Sequence, residues 1–151
     1  MKPKLSLRIA AFFIFFIAVG HTIGHYTRKI GADAGSRDVI KHMEQYKFNF
    51  NGATRSWDNL YEGMSLDVSL ILFVLTVVYG LLANACKKYP ELCYKLLWVF
   101  LVCFVGFTII GFRNFFLVPA ITTLLVCLFT VTAMMKLRRY PKRESELAQS
   151  T

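Results

Sequence analysis

The chain has 151 residues, of which 56% are hydrophobic and 15% aromatic, and its formal net charge is +9. A water-soluble domain of this length rarely combines such apolarity with long uninterrupted stretches, which excludes an ordinary soluble domain. Basic clusters beside apolar stretches are typical of membrane topology and of contact with anionic headgroups. The charge therefore gives no reason to expect a nucleic-acid partner.

Four runs without Lys, Arg, Asp or Glu, each 17 to 22 residues long, mark four candidate membrane helices. A spanning helix needs about 20 residues. The sequence predicts an all-α fold, an integral membrane four-helix bundle with a long outer loop between helices 1 and 2. One transmembrane domain covers 1–140, and the polar tail 141–151 is predicted to be disordered. The predicted spans are about 7–27, 64–86, 93–112 and 115–136.

The basic residues set the predicted orientation, because cytoplasmic segments carry an excess of Lys and Arg. With four spans, the N-terminal segment, the link between spans two and three, and the C-terminal tail share one side and together carry 11 basic residues. Both termini are therefore predicted to be cytoplasmic, in a multi-pass protein of the cell (inner) membrane. The first apolar run is longer than a usual signal core, which favours a retained signal anchor.

The first span ends with His21 and His25. Their four-residue spacing puts both imidazoles on one helix face. Ionisable groups inside a membrane usually face a partner, a cavity or water. The pair is interpreted as a proton-transfer pair, as ligand contacts or as metal ligands, with helix packing as the alternative. The sequence lacks the glutamate of an H-E-x-x-H motif, so no metal and no cofactor are predicted.

The loop that follows contains one helical pattern. Within 36–48, Val39, Ile40, Met43 and Tyr46 recur at mostly helical spacing. Such a pattern in a polar segment predicts a short amphipathic helix at the outer surface.

The start of the second span lies, by topology, at the level of the histidine pair. Asp67 is about one turn inside this span, while a stripe of small or polar residues from Ser65 to Asn84 lies on nearly the opposite face. The sequence leaves open which of the two faces the bundle interior. Interfacial anchoring by aromatic residues and helix capping by Ser56 or Asp58 are the alternative interpretation.

Arg113, in the outer turn between spans three and four, is a candidate counter-charge for Asp58, Glu62 or Asp67. Such a pair would lower the cost of burying either charge, and the alternative is an ordinary interfacial arginine. The candidate catalytic residues are therefore His21, His25, Asp58, Asp67 and Arg113. The candidate ligand-binding residues are Arg55, Ser56, Trp57, Tyr61, Ser65 and Asn114.

Two segments carry a resemblance: GHTIGH closes the first span, and FNFNGATRSWDNLYEGMSL opens the second. Together they resemble a group of small four-span bacterial membrane proteins of unassigned function, over about 7–136. The resemblance implies a four-helix bundle and supplies no reaction. The architecture, a few membrane helices with intramembrane histidines and carboxylates, is also similar to that of the emopamil-binding sterol-isomerase-like proteins. Their signature residues are not found in this sequence.

Two functions from different classes follow from the predicted outer site. The first is a binding or accessory protein that holds a lipid-like or hydrophobic small molecule, or a membrane partner. The second is a small intramembrane enzyme, of isomerase or proton-transfer type, in which a histidine exchanges protons with a hydrophobic substrate. Transport by an oligomer is a third and weaker alternative. The expected partners are the lipid bilayer, such a small molecule, and a membrane protein or a second copy of the chain.

Overall fold

The computed structural model describes residues 2–138, so the predicted tail 141–151 lies outside the described residues. Within that part the chain is helical apart from one two-stranded hairpin. The elements in chain order are α1 (Pro3–Thr27), α2 (Ala34–Gln45), β1 (Lys47–Phe50), β2 (Ala53–Ser56), α3 (Trp57–Ala85), α4 (Pro90–Asn114) and α5 (Leu117–Leu137).

Four of these helices, α1, α3, α4 and α5, are long and apolar enough to cross a membrane, with mean hydropathies of 1.9 to 2.3 in their most apolar windows. Less than half of each window is buried within the chain. An outward-facing apolar surface of this extent is more favourable in contact with lipid than with water. The prediction of four membrane-type helices is confirmed, whereas their insertion, orientation and arrangement as one bundle stay predictions.

The segment between α1 and α3 is largely structured. The helix predicted within 36–48 is confirmed as α2 as far as Gln45, whereas 47–48 belong to β1, and its place at the outer surface stays a prediction. Asp33 caps α2: its carboxylate accepts a hydrogen bond of 2.7 Å from the backbone N–H of Ser36. This bond satisfies one of the free N–H groups at the helix start. It also holds the pKa of Asp33 below its ordinary value.

The hairpin that follows α2 was not anticipated. Strands β1 and β2 pair antiparallel, with Phe50 opposite Ala53, so Asn51 and Gly52 form the two-residue turn. Both turn residues have positive φ, 50° and 81°. This is the backbone of a type I′ turn, which Asn-Gly favours because both residues tolerate left-handed angles.

Helix α3 begins at Trp57, earlier than the predicted second span. Ser56 and Asn59 form a reciprocal cap: the Asn59 N–H donates to the Ser56 hydroxyl (3.2 Å), and the Ser56 N–H donates to the Asn59 side-chain oxygen (3.1 Å). The predicted capping role of Ser56 is confirmed. The polar stretch after Ser56 is therefore helical, which fixes the faces on which its side chains lie.

The described chain divides into two compact units. The first, the helical core unit, contains residues 2–17 and 73–138. Its helices α4 and α5 approach closely at Gly111, where an added Cβ would lie 3.2 Å from the Cα of Ala120. Buried hydroxyls also connect them, because Thr108 donates to the Thr123 hydroxyl oxygen at 3.0 Å. Small residues and interhelical hydroxyl bonds are the usual means of packing helices in membranes.

The second unit covers residues 18–72 and is called the 18–72 unit below. It contains the end of α1, the helix α2, the hairpin and the start of α3. Its buried residues are mainly polar: Ser56, Asp58, Ser65 and Ser69 are buried, against Ala18 and Leu72 among the apolar residues. Buried polar groups need partners, so this unit is the first place to look for a site.

Candidate functional site

His21 anchors α1 on α3 inside the 18–72 unit. Its Nε2 atom lies 3.1 Å from the carbonyl oxygen of Ser65 and 3.2 Å from the hydroxyl oxygen of the same residue. Depending on the tautomer, Nε2 donates to the carbonyl or accepts from the hydroxyl. The helix-packing interpretation of His21 thus has a definite partner.

The structure also distinguishes the two faces of α3. Ser65 and Ser69 are buried, with 8% and 6% of their surface exposed, and the Ser69 hydroxyl donates to the Ser65 carbonyl oxygen at 3.2 Å. Asp67 is exposed. The serine end of the stripe therefore faces the interior of the unit, and Asp67 faces outward.

His25 differs from His21. Its ring is half-buried and lies edge-on to Tyr26, with the ring centroids 5.0 Å apart. Its Nδ1 atom is buried and has no hydrogen-bond partner among residues 2–138. An unsatisfied buried polar atom costs about 1–3 kcal/mol, and such atoms in native proteins call for an explanation.

A cluster of charged residues surrounds the buried carboxylate of Asp58, which is 3% exposed. One of its oxygens pairs with Arg28, and the other pairs with Lys29 at 2.8 Å. Both cations also reach Glu62, at 3.4 Å and 3.3 Å, and Lys29 pairs with Glu44 at 2.7 Å. The hydrogen bonds from Lys29 to Asp58 and Glu44 raise the pKa of Lys29 above its ordinary value.

The Arg28 guanidinium also lies over the Tyr61 ring, 4.5 Å from its centroid. This stacking and the ion pairs hold the side chain in one position. Neither Arg28 nor Lys29 was among the predicted site residues. A signal was present, because Arg28 and Lys29 directly follow the span that ends with the histidine pair.

These contacts define one seam between α1 and α3. His21 contacts Ser65, and Arg28, seven residues later and just after the end of α1, contacts Asp58, seven residues earlier on α3. The two helices therefore run antiparallel here. His25 shares the face of α1 that carries His21. Along the chain, His25 and its unpartnered Nδ1 therefore come between a hydrogen-bonded histidine and an arginine of the ion cluster.

The charges of the cluster do not balance. Three carboxylates, on Glu44, Asp58 and Glu62, surround the two cations Arg28 and Lys29. Both oxygens of Asp58 are occupied by these cations. The seam therefore carries a small excess of negative charge, and its cations are already paired.

The other predicted residues of the 18–72 unit lie at its surface. Arg55 is exposed and donates to the Thr54 carbonyl oxygen at 3.0 Å. Trp57 is 53% exposed, and its ring lies 5.1 Å from that of Phe48. The exposure of Trp57 agrees with aromatic anchoring, the alternative interpretation of this segment, which stays a prediction.

Arg113 and Asn114 end α4 and belong to the helical core unit. Asn114 donates to the Ile110 carbonyl oxygen of its own helix at 3.2 Å. The carboxylates Asp58 and Glu62, named as candidate partners of Arg113, pair with Arg28 and Lys29. A contribution of Arg113 and Asn114 to the site stays a prediction.

Within residues 2–138, no three His, Cys, Asp or Glu side chains are grouped so that they could hold a metal ion. Comparison of the chain with family models, with curated proteins and with solved structures finds no match. The chemistry of the seam is thus the basis for a functional proposal.

Proposed function

We propose that the 18–72 unit binds an amphipathic, lipid-like molecule, whose polar group contacts His25 and whose apolar part lies against the membrane. On this proposal the unit lies at the outer interface of the cell membrane, with both chain termini in the cytoplasm. The four membrane-type helices support a lipid surrounding, and the distribution of basic residues supports this orientation.

One observation carries the proposal: the buried Nδ1 of His25 has no partner among the described residues, although its neighbours along the seam are paired. A ligand group that bonds to this nitrogen would remove the cost of an unsatisfied polar atom. Small-molecule sites commonly combine an apolar wall with a few polar atoms of this kind.

The charges of the seam indicate the class of the polar group. Arg28 and Lys29 are paired with carboxylates, and negative charge is in excess. An anionic headgroup would therefore meet repulsion and no free cation. A neutral hydroxyl suits the site best, because it can donate to or accept from His25 in either tautomer. The proposed ligand is an amphipathic alcohol.

The geometry gives less support to the enzyme alternative. A general base must reach the proton that it removes, and an acid/base partner for the histidines was expected from Asp58 or Asp67. Both Asp58 oxygens are paired with cations, and Asp67 is exposed on the other face of α3. We therefore propose binding rather than isomerisation.

The test is to identify the hydrophobic molecules that co-purify with the protein from its own membrane. The full-length chain and the His25→Leu variant are purified in a mild detergent, and their bound molecules are extracted and identified by mass spectrometry. We expect an amphipathic alcohol in near-stoichiometric amount with the parent and at least about tenfold less with His25→Leu, since ~1.4 kcal/mol corresponds to a factor of ten.

His42 provides the matched control. It is exposed on α2, and its Nδ1 lies 2.7 Å from the Asp38 carbonyl oxygen of the same helix. The same change, His42→Leu, should leave the bound molecule unchanged. Equal retention by the parent and by a folded His25→Leu variant would contradict the proposal. A membrane protein recovered in place of a lipid would favour the partner alternative.

A further inference from the structure

We propose that a second site, in the helical core unit, binds an anionic phospholipid in the cleft between the start of α4 and the end of α5. This inference is independent of the proposed function, because it concerns another unit and another ligand. The cleft encloses about 190 Å³. Its lining includes Tyr94, Trp98, Leu101, Val131, Met135 and Arg138.

The cleft has an apolar body. Trp98 and Met135 are 50% and 56% exposed, and Val131 is 38% exposed, so the cleft opens at the surface of the unit. From Val131 to Arg138 the helix rises about 10 Å, at about 1.5 Å per residue. This length accommodates the first part of an acyl chain. In a bilayer, lipid acyl chains surround the helices and can enter such a cleft.

One end of the cleft carries a cation. Arg138 is exposed at the end of α5, and within residues 2–138 it has no carboxylate partner. In this it differs from Arg28 and Lys29 of the 18–72 unit, which pair with carboxylates. A guanidinium matches phosphate in geometry and charge.

The position of the cleft along the helices agrees with this charge. Tyr94 lies near the start of α4, and Arg138 follows the end of α5. This end carries the basic residues Lys87, Lys88, Lys95 and Lys136, and by the distribution of positive charge it is the predicted cytoplasmic side. Basic pockets between membrane helices on that side bind anionic headgroups. Tyr94 and Trp98 are of the residue types that are enriched at the level of the lipid headgroups.

The chain offers a direct probe, because it contains two tryptophans, Trp57 and Trp98. In a Trp57→Phe background Trp98 is the only tryptophan, and excitation that selects tryptophan over tyrosine reports on it alone. This protein is placed in phosphatidylcholine bilayers that contain a minor fraction of brominated lipid, either phosphatidylglycerol or phosphatidylcholine. Bromine quenches tryptophan on contact, so the two quenching curves give the relative affinity of the cleft for each lipid.

We expect phosphatidylglycerol to be favoured about fivefold, which corresponds to the ~1 kcal/mol of one basic residue near an anionic headgroup. High salt should reduce this ratio. Arg138→Gln should bring it close to one. Lys95→Gln removes a charge from the same end, but Lys95 already pairs with Glu91 at 2.8 Å, so that variant should keep the preference.

Three results would overturn the inference. The first is equal quenching of the parent by the two lipids, a measurement that needs no variant at position 138. The second is a preference that persists unchanged in Arg138→Gln. The third is an equal loss in Arg138→Gln and Lys95→Gln, which would assign the preference to the general surface potential. Circular dichroism of each variant checks its helical content.

Discussion

The Nε2 atom of His21 lies 3.1 Å from the carbonyl oxygen of Ser65, so a side chain near the end of α1 is fixed to the backbone of α3. The contact joins residues 44 positions apart in the chain. It sets the register in which the two helices face each other. Asp58 then meets Arg28, and His25 lies between the two contacts.

Replacement of His21 should therefore affect stability. His21→Leu removes the bond to Ser65, and interhelical hydrogen bonds in membrane proteins contribute about 0.6–2 kcal/mol. We expect the free energy of unfolding in detergent to fall by about that amount, and His21→Gln, whose amide can still donate, to recover much of it. A His21→Leu variant as stable as the parent would show that the contact contributes nothing.

The ion cluster predicts a clear ranking of two substitutions. Asp58→Ala should cost about 3 kcal/mol, because it leaves the part-buried Arg28 with Glu62, at the longer distance, as its one carboxylate partner among the described residues. Lys29→Ala should cost less than about 1 kcal/mol, because the Lys29 side chain is 41% exposed. Denaturant titration of both variants checks the ranking. Equal losses would mean that burial of Asp58 does not govern the cluster.

The cap of α2 should depend on pH. The folded-state pKa of Asp33 is lowered, since its carboxylate accepts a hydrogen bond from Ser36. The resulting stabilisation is present above the unfolded value of 3.8 and is lost as the pH falls through the lower folded value. Amide hydrogen exchange in α2 should therefore rise as the pH falls below about 4, relative to its intrinsic rate.

Two variants separate the cap from general acid effects. Asp33→Asn keeps a capping oxygen without a titrating group at that position, so its α2 protection should depend on pH less than that of the parent, the remaining dependence coming from Asp38 and from Glu44 paired with Lys29. Asp33→Ala should show weak protection at every pH. An identical pH profile for Asp33→Asn and the parent would show that the carboxylate is not the source of the effect.

The close approach of α4 and α5 predicts an asymmetric response of two glycines. Gly111→Ala places a methyl group 3.2 Å from the Cα and Cβ of Ala120, so one helix must move. We expect a loss of about 1–3 kcal/mol, as for overpacked cores. A Cβ at Gly106 meets nothing within 4 Å, so Gly106→Ala should be neutral or stabilising, because alanine favours helix. Thermal unfolding of both variants provides the comparison.

The predicted orientation is tested by cysteine labelling in intact cells. Lys41→Cys, on the exposed face of α2, should react with an impermeant thiol reagent added outside. Lys88→Cys, between α3 and α4, should react only after lysis. Both positions are exposed, and the free cysteines of the described chain provide the background. The reverse pattern would place the 18–72 unit in the cytoplasm.

The four membrane-type helices could be predicted from the sequence because charge-free apolar runs of this length seldom form anything other than a membrane helix. The start of α3 was predicted only as an alternative, in which Ser56 or Asp58 caps the helix, since the polar stretch after Ser56 has the composition of a loop. Its helical state depends on the reciprocal cap with Asn59. The hairpin was missed although Asn51–Gly52 is a strong turn signal, because the surrounding strands have only four residues each.

The site was predicted in part. His21, His25, Asp58 and Ser65 were expected at one level, and the structure brings His21 to Ser65. The partners of Asp58 were not predicted: Arg113 was considered, whereas Arg28 and Lys29 make the pairs. Local spacing gives the face of a helix, but the register between two helices depends on contacts distant in sequence. The outward position of Asp67 also could not be predicted without knowing that register.

The central claim is that the buried nitrogen of His25 is where the ligand binds, and ¹⁵N NMR of histidine-labelled protein tests it most directly. The imidazole nitrogens of the three histidines are recorded as purified from native membranes and again after exhaustive delipidation. Delipidation should shift the Nδ1 resonance of His25, because a hydrogen bond is lost, while His42 should not change. A His25 Nδ1 resonance that is the same in both samples would contradict the account.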